Sequence, residues 1–385
     1  MQTKLYGQTG FRASILGFGA MRLPGDDGKT DPERSAPLVR RGLELGINYI
    51  DTAHGYGKGN NEVAVGYAIQ GYDRSKLFIV TKIPVGSEED AQGSTWRRKL
   101  DLSLERLGTT IDMILFHGLR WNVYETLLTR PNMALEAARK AQAEGLVRYV
   151  GFSSHDSAEN ITKLVETGEF AGMLVQYNYL DRHTEPAIAR AAARGMGVSI
   201  MGPVAGGRLA LPQGTLVDTE GALEVKTPEV ALRFVWNNPA VTVACSGMNT
   251  MEQVEENAAA ASRLDSLDDQ ERAAVHALME KNQKLADLYC TGCEYCMPCP
   301  NNVNIAENFR YMNWFRVWGM EDQAREAYAR LGKDGNWVPW VGGWIIHGLK
   351  ADACTECGEC LSKCPQDIPI PDQLKDVADT LGQPV

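Results

Sequence analysis

The chain has 385 residues, of which 44% are hydrophobic, and this is enough for one large domain and a second, smaller one. Its formal net charge of −10 argues against a nucleic-acid or anionic-membrane partner, because either would repel an acidic protein. The polar N-terminal residues contain no signal-peptide core, and no apolar run reaches the roughly 18 residues of a membrane span. These features predict a soluble cytoplasmic protein.

Eight short apolar segments alternate with helical patterns from residue 14 to about residue 260. In chain order they are ASILGFGA, INYIDTA, KLFIVTK, IDMILFHG, VRYVGFSS, GMLVQYN, GVSIMGPVAGG and VTVACSG. Strands that alternate with helices indicate a parallel sheet, and eight such units favour a closed α/β structure, the (β/α)8 TIM barrel. An open dinucleotide-binding sheet fits less well, because no complete G-x-G-x-x-G follows the first strand.

Eight of the nine cysteines lie in two short runs near the end of the chain, CTGCEYCMPCP and CTECGECLSKCP. The second run has the spacing C-x2-C-x2-C-x3-C-P of bacterial 4Fe–4S ligands, and the first differs only in its last gap. In two-cluster ferredoxins the fourth ligand of each cluster comes from the other run. The spacing therefore predicts two 4Fe–4S clusters, one held by Cys290, Cys293, Cys296 and Cys364, and the other by Cys354, Cys357, Cys360 and Cys299.

The alternatives for these cysteines are zinc and disulfides. Zinc would use isolated C-x2-C pairs, and disulfides are rare in a cytoplasmic protein, so both are disfavoured. We place a domain boundary near residue 280, with the barrel in residues 1–280 and a mainly helical, ferredoxin-like domain in residues 281–385. The ninth cysteine, Cys245, ends an apolar segment and is predicted to be a buried small side chain.

Four polar side chains follow the ends of predicted barrel strands, where the active sites of such barrels form. Asp51 and Tyr56 follow the second strand, Lys82 ends the third and His117 ends the fourth. Each alone has an ordinary structural explanation, but a buried Lys or Asp without a partner is costly, so the group of four points to chemistry. We expect Tyr56 to act as a general acid whose pKa is lowered by Lys82. Asp51 would hold Lys82, and His117 would orient a carbonyl oxygen.

The segments DTAHGYG, VTK and LFHG, in this order at strand ends, resemble those of the aldo-keto reductases. With the cysteine runs, the chain resembles a branch of that family fused to a C-terminal 4Fe–4S domain. The resemblance implies NAD(H) or NADP(H) lying across the barrel mouth. It also implies hydride transfer to or from a small carbonyl or alcohol substrate.

The resemblance further implies a set of cofactor contacts. Ser153, Ser154 and Gln176 would bind the nicotinamide carboxamide, although Ser154 replaces the family's usual Asn. Met201 stands where an aromatic residue often stacks on the nicotinamide, and Arg208 would reach the pyrophosphate unless it is solvated. The other implied contacts are Gly202, Pro203, Gly206, Gly207, Gly247, Gln253, Glu256 and Asn257.

The last turn of the barrel bears on the choice of dinucleotide. Members of the family that prefer NADPH carry Lys and Arg at the positions of Gly247 and Gln253, while Glu256 and Asn257 keep the residues that hold the adenine. Losing two cations removes charge-assisted bonds to a 2′-phosphate, which favours NADH. Of two other histidines, His54 is expected to be a solvated loop residue, and His155 is a weaker candidate for a cofactor contact.

Three functions remain open from the sequence. The first is an NAD(P)-dependent carbonyl reductase or alcohol dehydrogenase whose clusters are structural, regulatory or oxygen-sensing. The second is an electron-transfer oxidoreductase that serves a ferredoxin or another redox partner. It would need a converter such as a flavin, since a hydride carries two electrons and a cluster takes one. The third is a nicotinamide-sensing scaffold with little turnover.

Overall fold

The computed structural model describes residues 1–26, 28–207, 209, 227–263, 267–270, 272–273, 290, 295–318, 321–333, 348–364 and 367–383. The chain divides into two compact units. The first comprises Met1–Val204 with Val225–Asp268, and the second comprises Ala205–Glu224 with Asp269–Val385. The predicted boundary near residue 280 lies outside the described residues and stays a prediction.

The first unit is a closed parallel barrel of eight strands, β3 and β6 to β12, which confirms the predicted fold class. The described strands are β1 (Thr3–Leu5), β2 (Arg12–Ser14), β3 (Leu16–Gly19), β4 (Gly25–Asp26), β5 (Lys29–Thr30), β6 (Tyr49–Asp51), β7 (Phe78–Pro84), β8 (Ile111–His117), β9 (Val147–Ser154), β10 (Gly172–Gln176), β11 (Gly197–Met201) and β12 (Val243–Gly247). All eight predicted segments form barrel strands, and β1 with β2 and β4 with β5 form two antiparallel pairs outside the barrel.

Helices follow the barrel strands and cover them. They are α1 (Pro32–Glu44), α2 (Asn60–Ile69), α3 (Glu88–Ala91), α4 (Gly93–Leu107), α5 (Trp121–Val123), α6 (Ala134–Ala143), α7 (Ala158–Glu166), α8 (Glu185–Ala193), α9 (Thr227–Asn237) and α10 (Met251–Ser262). Local sequence sets several helix ends. Asp31 caps α1 by accepting from the backbone N–H groups of Glu33 and Arg34, and α4 stops at Gly108 in the left-handed conformation.

A cluster of buried aromatic and aliphatic side chains fills part of the barrel, and it includes Tyr6, Tyr49 and Phe78. The hydroxyls of Tyr6 and Tyr49 lie 2.9 and 2.8 Å from Ser199 Oγ, so these buried phenols keep hydrogen-bond partners. Cys245 packs in the same cluster with 6% exposure, as expected for a small buried side chain. Burial raises the pKa of its thiol well above the ordinary value. This packed layer leaves the opposite, C-terminal end of the strands for polar groups.

The second unit is built from α11 (Ile305–Trp318), α12 (Glu321–Arg330) and α13 (Ile370–Leu381) among its described residues. Its core contains Phe309, Tyr328, Leu374 and Val377, and buried cysteines pack against it. This agrees with the predicted helical C-terminal region. Among the residues described for both units, no helix combines the length and the apolar character needed to cross a membrane.

Candidate active site and cysteine sites

Lys82 is the centre of a polar cluster at the C-terminal end of the barrel. Its Nζ donates to Asp51 Oδ2 at 2.6 Å and to the Tyr56 hydroxyl at 3.3 Å. A third bond of 2.8 Å goes to the carbonyl oxygen of Thr52. Parallel pairing of β6 with β7 places the ends of these strands side by side, and Lys82 is only 1% exposed. Three of the four residues predicted for catalysis are therefore in direct contact.

An ammonium has three protons and accepts no hydrogen bond, so the direction of each bond to Lys82 is fixed. The Tyr56 oxygen accepts from Lys82, and its own O–H proton is directed away from the ammonium. Lys82 Nζ also lies 4.6 Å from the centre of the Tyr56 ring. Asp51, Thr52 and Tyr56 use the three ammonium protons, which fixes the side chain in one position.

The Asp51 carboxyl is almost enclosed, with 7% of its side chain exposed. Burial raises the pKa of Asp51, and the Lys82 ammonium opposes that shift. Asp51 Oδ1 accepts no hydrogen bond from the part of the protein that the structure describes. The buried carboxyl therefore depends on Lys82 for its stabilisation.

His117 completes the predicted group of four. Its ring meets the Tyr56 ring edge-on, with centres 5.7 Å apart and planes inclined by 81°. Burial, followed by the charges of Lys82 and His155, lowers the pKa of His117 to about 3. His117 is therefore neutral near pH 7 and presents one N–H donor and one nitrogen acceptor.

The loop that carries Tyr56 is held by Arg106 from α4, a residue that the sequence analysis did not identify. The Arg106 guanidinium donates to the carbonyl oxygen of His54 at 3.0 Å and to Glu62 Oε2 at 3.3 Å. A side chain at Gly59 would come within 2.6 Å of the same guanidinium, and Gly59 has a φ of +89°. Glycine is thus required here on two grounds, and the loop and α4 are in close contact.

Glu62 connects this loop anchor to the strand of Lys82. It is fully buried, and its Oε1 accepts from Thr81 Oγ1 at 2.6 Å. His54 is half-buried, and its Nδ1 lies 3.1 Å from Ser103 Oγ. Burial lowers the pKa of His54 to about 4. The expectation that His54 is a solvated loop residue is therefore wrong, because the loop packs onto α4.

Ser153 and Ser154 end β9 and are both buried. Ser153 Oγ accepts from the backbone N–H of Gly118 at 3.0 Å. Ser154 Oγ donates to the carbonyl oxygen of Leu119 at 2.6 Å, and this uses its only proton. Both hydroxyls hold the loop after β8. A contact between either serine and a cofactor stays a prediction, and for Ser154 it requires the hydroxyl to accept.

Gln176 and Met201 are partners in the register of β10 and β11. The Gln176 amide lies against Gly202, since a side chain at Gly202 would come within 2.5 Å of Gln176 Oε1. Gly202 also has a φ of +63°. Pro203 follows and is buried, and Asn178, which the sequence analysis missed, donates to the carbonyl oxygen of Gly202 at 2.9 Å. These residues form a compact amide-lined edge of the mouth.

The glycines predicted after this edge fall in the second compact unit. Gly206 and Gly207 end a 3-10 turn, Ala205–Gly207, and Gly206 has a φ of +65°. Arg208 lies outside the described residues. The proposed contacts of these three residues with a cofactor stay predictions.

Gly247 ends β12 and is paired with Gly19 of β3. A side chain built at Gly247 would come within 2.8 Å of Arg22 Cγ, so the Arg22 side chain packs across this glycine. The aliphatic part of the Arg22 side chain, from the turn after β3, therefore lies beside Gly247. Comparison of the last turn alone does not reveal it, because Arg22 lies more than two hundred residues earlier in the chain.

The first two turns of α10 carry the other predicted dinucleotide contacts. Gln253 Oε1 accepts from the backbone N–H of Asn249 at 2.9 Å. Asn257 is 8% exposed and its Nδ2 donates to Ser246 Oγ at 3.2 Å. Glu256 is partly buried beside it. Gln253 and Asn257 thus fix the loop between β12 and α10, and a role in binding adenine stays a prediction.

The second run of cysteines gathers round a small cavity in the second unit. Cys354, Cys357 and Cys360 line it together with Cys296 and Cys299 from the first run. Burial, with the neighbouring Cys354, Cys357 and Cys299, raises the pKa of Cys360. Cys296 and Cys299 of the first run are therefore both next to the first three cysteines of the second, and the division of the cysteines between two clusters stays a prediction.

Three of the remaining cysteines are buried in the core of the second unit. Cys290, Cys296 and Cys364 have exposures of 8%, 9% and 7%. Cys293, the fourth member predicted for this set, lies outside the described residues. Within the described part of the chain, no three or more His, Cys, Asp or Glu side chains converge closely enough for a single metal ion.

Comparison with known proteins covers both units. The model of the aldo/keto reductase family matches residues 15–280, and that of a 4Fe-4S dicluster domain matches residues 289–368. The chain is 28% identical over 296 residues to an uncharacterized oxidoreductase of Bacillus subtilis, YqkF, covering 68% of this chain and 92% of that protein. It is 26% identical over 310 residues to L-galactose dehydrogenase of Arabidopsis thaliana, covering 74% and 96%.

Among solved structures, the holo form of the aldo-keto reductase AKR11C1 from Bacillus halodurans superimposes with a TM-score of 0.60 at 28% identity. The match covers 72% of this chain and 96% of that chain. The similarity therefore spans nearly the whole of that protein and only part of this chain.

Proposed function

The chain belongs to the aldo/keto reductase family and is an NAD(P)-dependent oxidoreductase with a C-terminal 4Fe-4S domain, and we propose that its barrel interconverts a small carbonyl compound and the matching alcohol. The observation that carries the proposal is the bonding of Lys82 to Asp51 and Tyr56 at the barrel mouth. A phenol held against a buried ammonium is suited to transfer a proton. Burial of the Lys82 charge costs free energy, which a catalytic role would explain.

In this proposal Tyr56 gives its proton to the carbonyl oxygen, and in the reverse direction it takes the proton back. Lys82 stabilises the phenolate that Tyr56 becomes, because its ammonium lies 3.3 Å from the phenol oxygen. Asp51 balances the charge of Lys82 and keeps it in place. His117 is neutral and donates its N–H to the same carbonyl oxygen, which places two donors on the atom where negative charge develops.

The mouth fits a nicotinamide dinucleotide. Gln176 presents a buried amide against Gly202, and Asn178 fixes the Gly202 carbonyl, so the edge offers amide groups beside a backbone without a side chain. When bound, the nicotinamide supplies or takes up the hydride. Gln176 and Ser153 would bind its carboxamide, Met201 and Gly202 would face the ring, and Asn257 with Glu256 would hold the adenine.

We propose that NADH is preferred, because Gly247 and Gln253 bring no positive charge to the place of a 2′-phosphate. Arg22, packed across Gly247, is the residue that would reverse this preference. Dissociation constants for NADH and NADPH in the wild type and in Arg22→Ala test it, and we expect NADH to bind at least about tenfold more tightly in the wild type. Tighter NADPH binding that is lost in Arg22→Ala would overturn the preference.

The cysteines fit two 4Fe–4S clusters with ligands exchanged between the runs. The position of Cys299 beside Cys354, Cys357 and Cys360 supports the exchange of ligands, and Cys296, which is assigned to the other cluster, lines the same cavity. When present, iron–sulfur clusters supply one-electron redox chemistry or a structural cross-link. We also propose a cytoplasmic location, where these thiols are kept reduced and able to bind iron.

Replacement of the phenol tests the catalytic proposal. Tyr56→Phe should lower kcat for aldehyde reduction by about 10²–10⁴-fold and leave dinucleotide affinity unchanged, because it removes only the proton that is transferred. Tyr149→Phe is the matched control: its hydroxyl bonds the carbonyl oxygen of Thr9 at 3.0 Å, away from the cluster of four. Tyr56→Phe activity within tenfold of the wild type would contradict the proposal.

The same assay separates the other two functions. An electron-transfer oxidoreductase would change its rate when the clusters are reduced anaerobically with dithionite, whereas the proposed carbonyl reductase would not. A scaffold would bind NADH tightly and turn over no member of an aldehyde and ketone panel. Either of these results would replace the proposed function.

A further inference from the structure

We infer that Asn61 is a positioning residue for the proposed reaction. Its buried amide links Thr52, whose carbonyl oxygen binds Lys82, to the turn after β3 and to the β4–β5 pair, and so holds Lys82 in place beside the Tyr56 phenol. The inference rests on the proposed function and adds a residue that acts on catalysis through its neighbours.

Asn61 is the second residue of α2 and is fully buried. Its Oδ1 accepts from Thr52 Oγ1 at 2.7 Å. Its Nδ2 donates to the carbonyl oxygen of Ala20 at 2.7 Å and to Thr30 Oγ1 at 3.3 Å. The amide has two protons and both are used, so its orientation is fixed. One side chain thus ties together three segments that precede it in the chain.

Thr52 transmits this restraint to Lys82. The carbonyl oxygen of Thr52 accepts from Lys82 Nζ at 2.8 Å, and the backbone N–H of Thr52 donates to a carbonyl oxygen of β7 at 2.9 Å. Because its hydroxyl is held by Asn61, the buried Thr52 cannot turn without breaking a hydrogen bond. The carbonyl takes one ammonium proton of Lys82, and the remaining protons are directed to Asp51 and Tyr56.

The loop between Tyr56 and α2 is strained. Gly57, Lys58 and Gly59 all have left-handed φ values, of +54°, +54° and +89°. Glycine adopts this conformation without a steric cost, but Lys58 has a side chain and does not. A strained residue persists only where the surrounding structure holds it, so this loop depends on restraints from its neighbours.

Thr30 of β5 supplies one such restraint and is itself bonded to Asn61. A side chain at Gly57 would come within 1.9 Å of Thr30 Oγ1, which shows how closely the loop packs on β5. The Asn60 side chain also donates to the carbonyl oxygen of Thr30 at 3.1 Å. Asn61 therefore supports the loop of the phenol as well as the ammonium.

Loss of the Asn61 amide would leave the Thr52 hydroxyl without its acceptor. The Thr52 carbonyl could then turn away, and the Lys82 ammonium would be held less firmly at its distance of 3.3 Å from the Tyr56 oxygen. In the proposed reaction this ammonium stabilises the phenolate, so a displaced Lys82 slows proton transfer and raises the pH at which Tyr56 loses its proton. A residue that only stabilises the fold would not move that pH.

The test measures kcat against pH for alcohol oxidation, together with the dissociation constant of NADH. The probe is the alcohol whose carbonyl form is reduced fastest in an aldehyde and ketone panel. We expect Asn61→Leu and Thr52→Val to lower kcat at least about tenfold and to raise the pH of half-maximal kcat by about one unit, with unchanged NADH affinity. Thr52→Ser keeps the hydroxyl and should recover most of the rate. The double variant should be no slower than the slower single one, because both changes break the same bond.

Asn48→Leu is the matched control. Asn48 also bridges backbone groups, because its Oδ1 accepts from the N–H of Ser14 at 2.7 Å and its Nδ2 donates to the carbonyl oxygen of Arg12 at 2.9 Å. It directly precedes β6, at the end of the strand away from Tyr56. Asn48→Leu should lower Tm but keep kcat and the pH of half-maximal kcat.

Wild-type rates in Asn61→Leu and Thr52→Val, or a lower kcat with an unmoved pH of half-maximal kcat, would overturn the inference. If circular dichroism shows that Asn61→Leu does not fold, Thr52→Val decides the question, because it replaces a single hydroxyl by a methyl group. Failure of the proposed function has a different signature, since Tyr56→Phe would then react within about tenfold of the wild type.

Discussion

Replacing Lys82 with Met should destabilise the barrel strongly, and the structure gives the size of the effect. The change removes the ammonium that lies 2.6 Å from Asp51 Oδ2, while Asp51 Oδ1 has no partner among the described residues. Removing one member of a buried ion pair costs about 3–5 kcal/mol. For a domain of this size the loss corresponds to a fall in Tm of roughly 6–20 °C.

The pH dependence of the deficit identifies its cause. Burial already raises the pKa of Asp51, and without Lys82 nothing opposes the rise. A folded-state pKa above the unfolded value means that the folded state binds the extra proton, so the variant loses stability as the pH increases through that range. Urea unfolding of Lys82→Met should therefore show a deficit that is small near pH 4 and reaches its full size near pH 7.

A double variant separates stability from catalysis. Asp51→Leu with Lys82→Met removes both charges, and such replacements are often neutral or stabilising by about 1–4 kcal/mol, so it should recover the stability of the wild type but not its activity. Asp112→Asn is the control at the other end of β8. It removes the charge of the buried Asp112, which lies 2.5 Å from Arg74 and 3.1 Å from Arg148, and should reduce stability but keep kcat. A pH-independent deficit, or one below about 1 kcal/mol, would refute the assignment of a buried ion pair.

Three further predictions concern the histidine, the amide edge and the loop. The pKa of His117 is about 3 in the folded protein and near 6.5 in the unfolded chain. The free energy of unfolding should therefore decrease below pH 6.5 by up to about 1.4 kcal/mol per pH unit, and urea titrations of His117→Gln should show a smaller decrease. Gly202→Ala places a side chain on a residue in the left-handed region and against the Gln176 amide. It should therefore weaken NADH binding at least about tenfold in fluorescence titrations. An unchanged affinity would show that this edge does not contact the cofactor. Arg106→Ala should displace the loop of Tyr56 and lower kcat by about 10–100-fold with little change in dinucleotide affinity. Arg106→Lys should restore part of this rate. An equal loss of rate in both variants, together with weaker dinucleotide affinity, would indicate general unfolding.

Much of the barrel follows from local sequence. Each strand is a short apolar run, and Asp51, Lys82 and His117 directly end such runs, so the periodicity predicts both the strands and their common rim. Contacts between distant helices and loops have no such local signal. Arg106 looks like an ordinary solvated residue on an amphipathic helix, and only the fold brings it to the His54 carbonyl.

The residues predicted to bind the dinucleotide show the same limit of prediction from sequence. From its own segment, Gly247 indicates that the cation found there in NADPH-preferring members of the family is missing. In the structure, however, the Arg22 side chain packs across Gly247. His54 reads as a loop residue and is half-buried because the loop lies on α4. In both positions the neighbour comes from a different part of the chain, and a single sequence contains no information on that pairing.

The juxtaposition of Cys299 with the second cysteine run has a consequence for maturation of the chain. An inorganic cross-link from position 299 to position 354 would close a loop of about 55 residues, and the corresponding loss of disorder in the unfolded chain is worth about 4 kcal/mol by the loop-entropy relation for cross-links. Without iron the C-terminal unit would lack this contribution to its stability. In an iron-starved cell the C-terminal unit of the newly made chain would therefore be less stable, and we expect proteases to cleave it before the barrel.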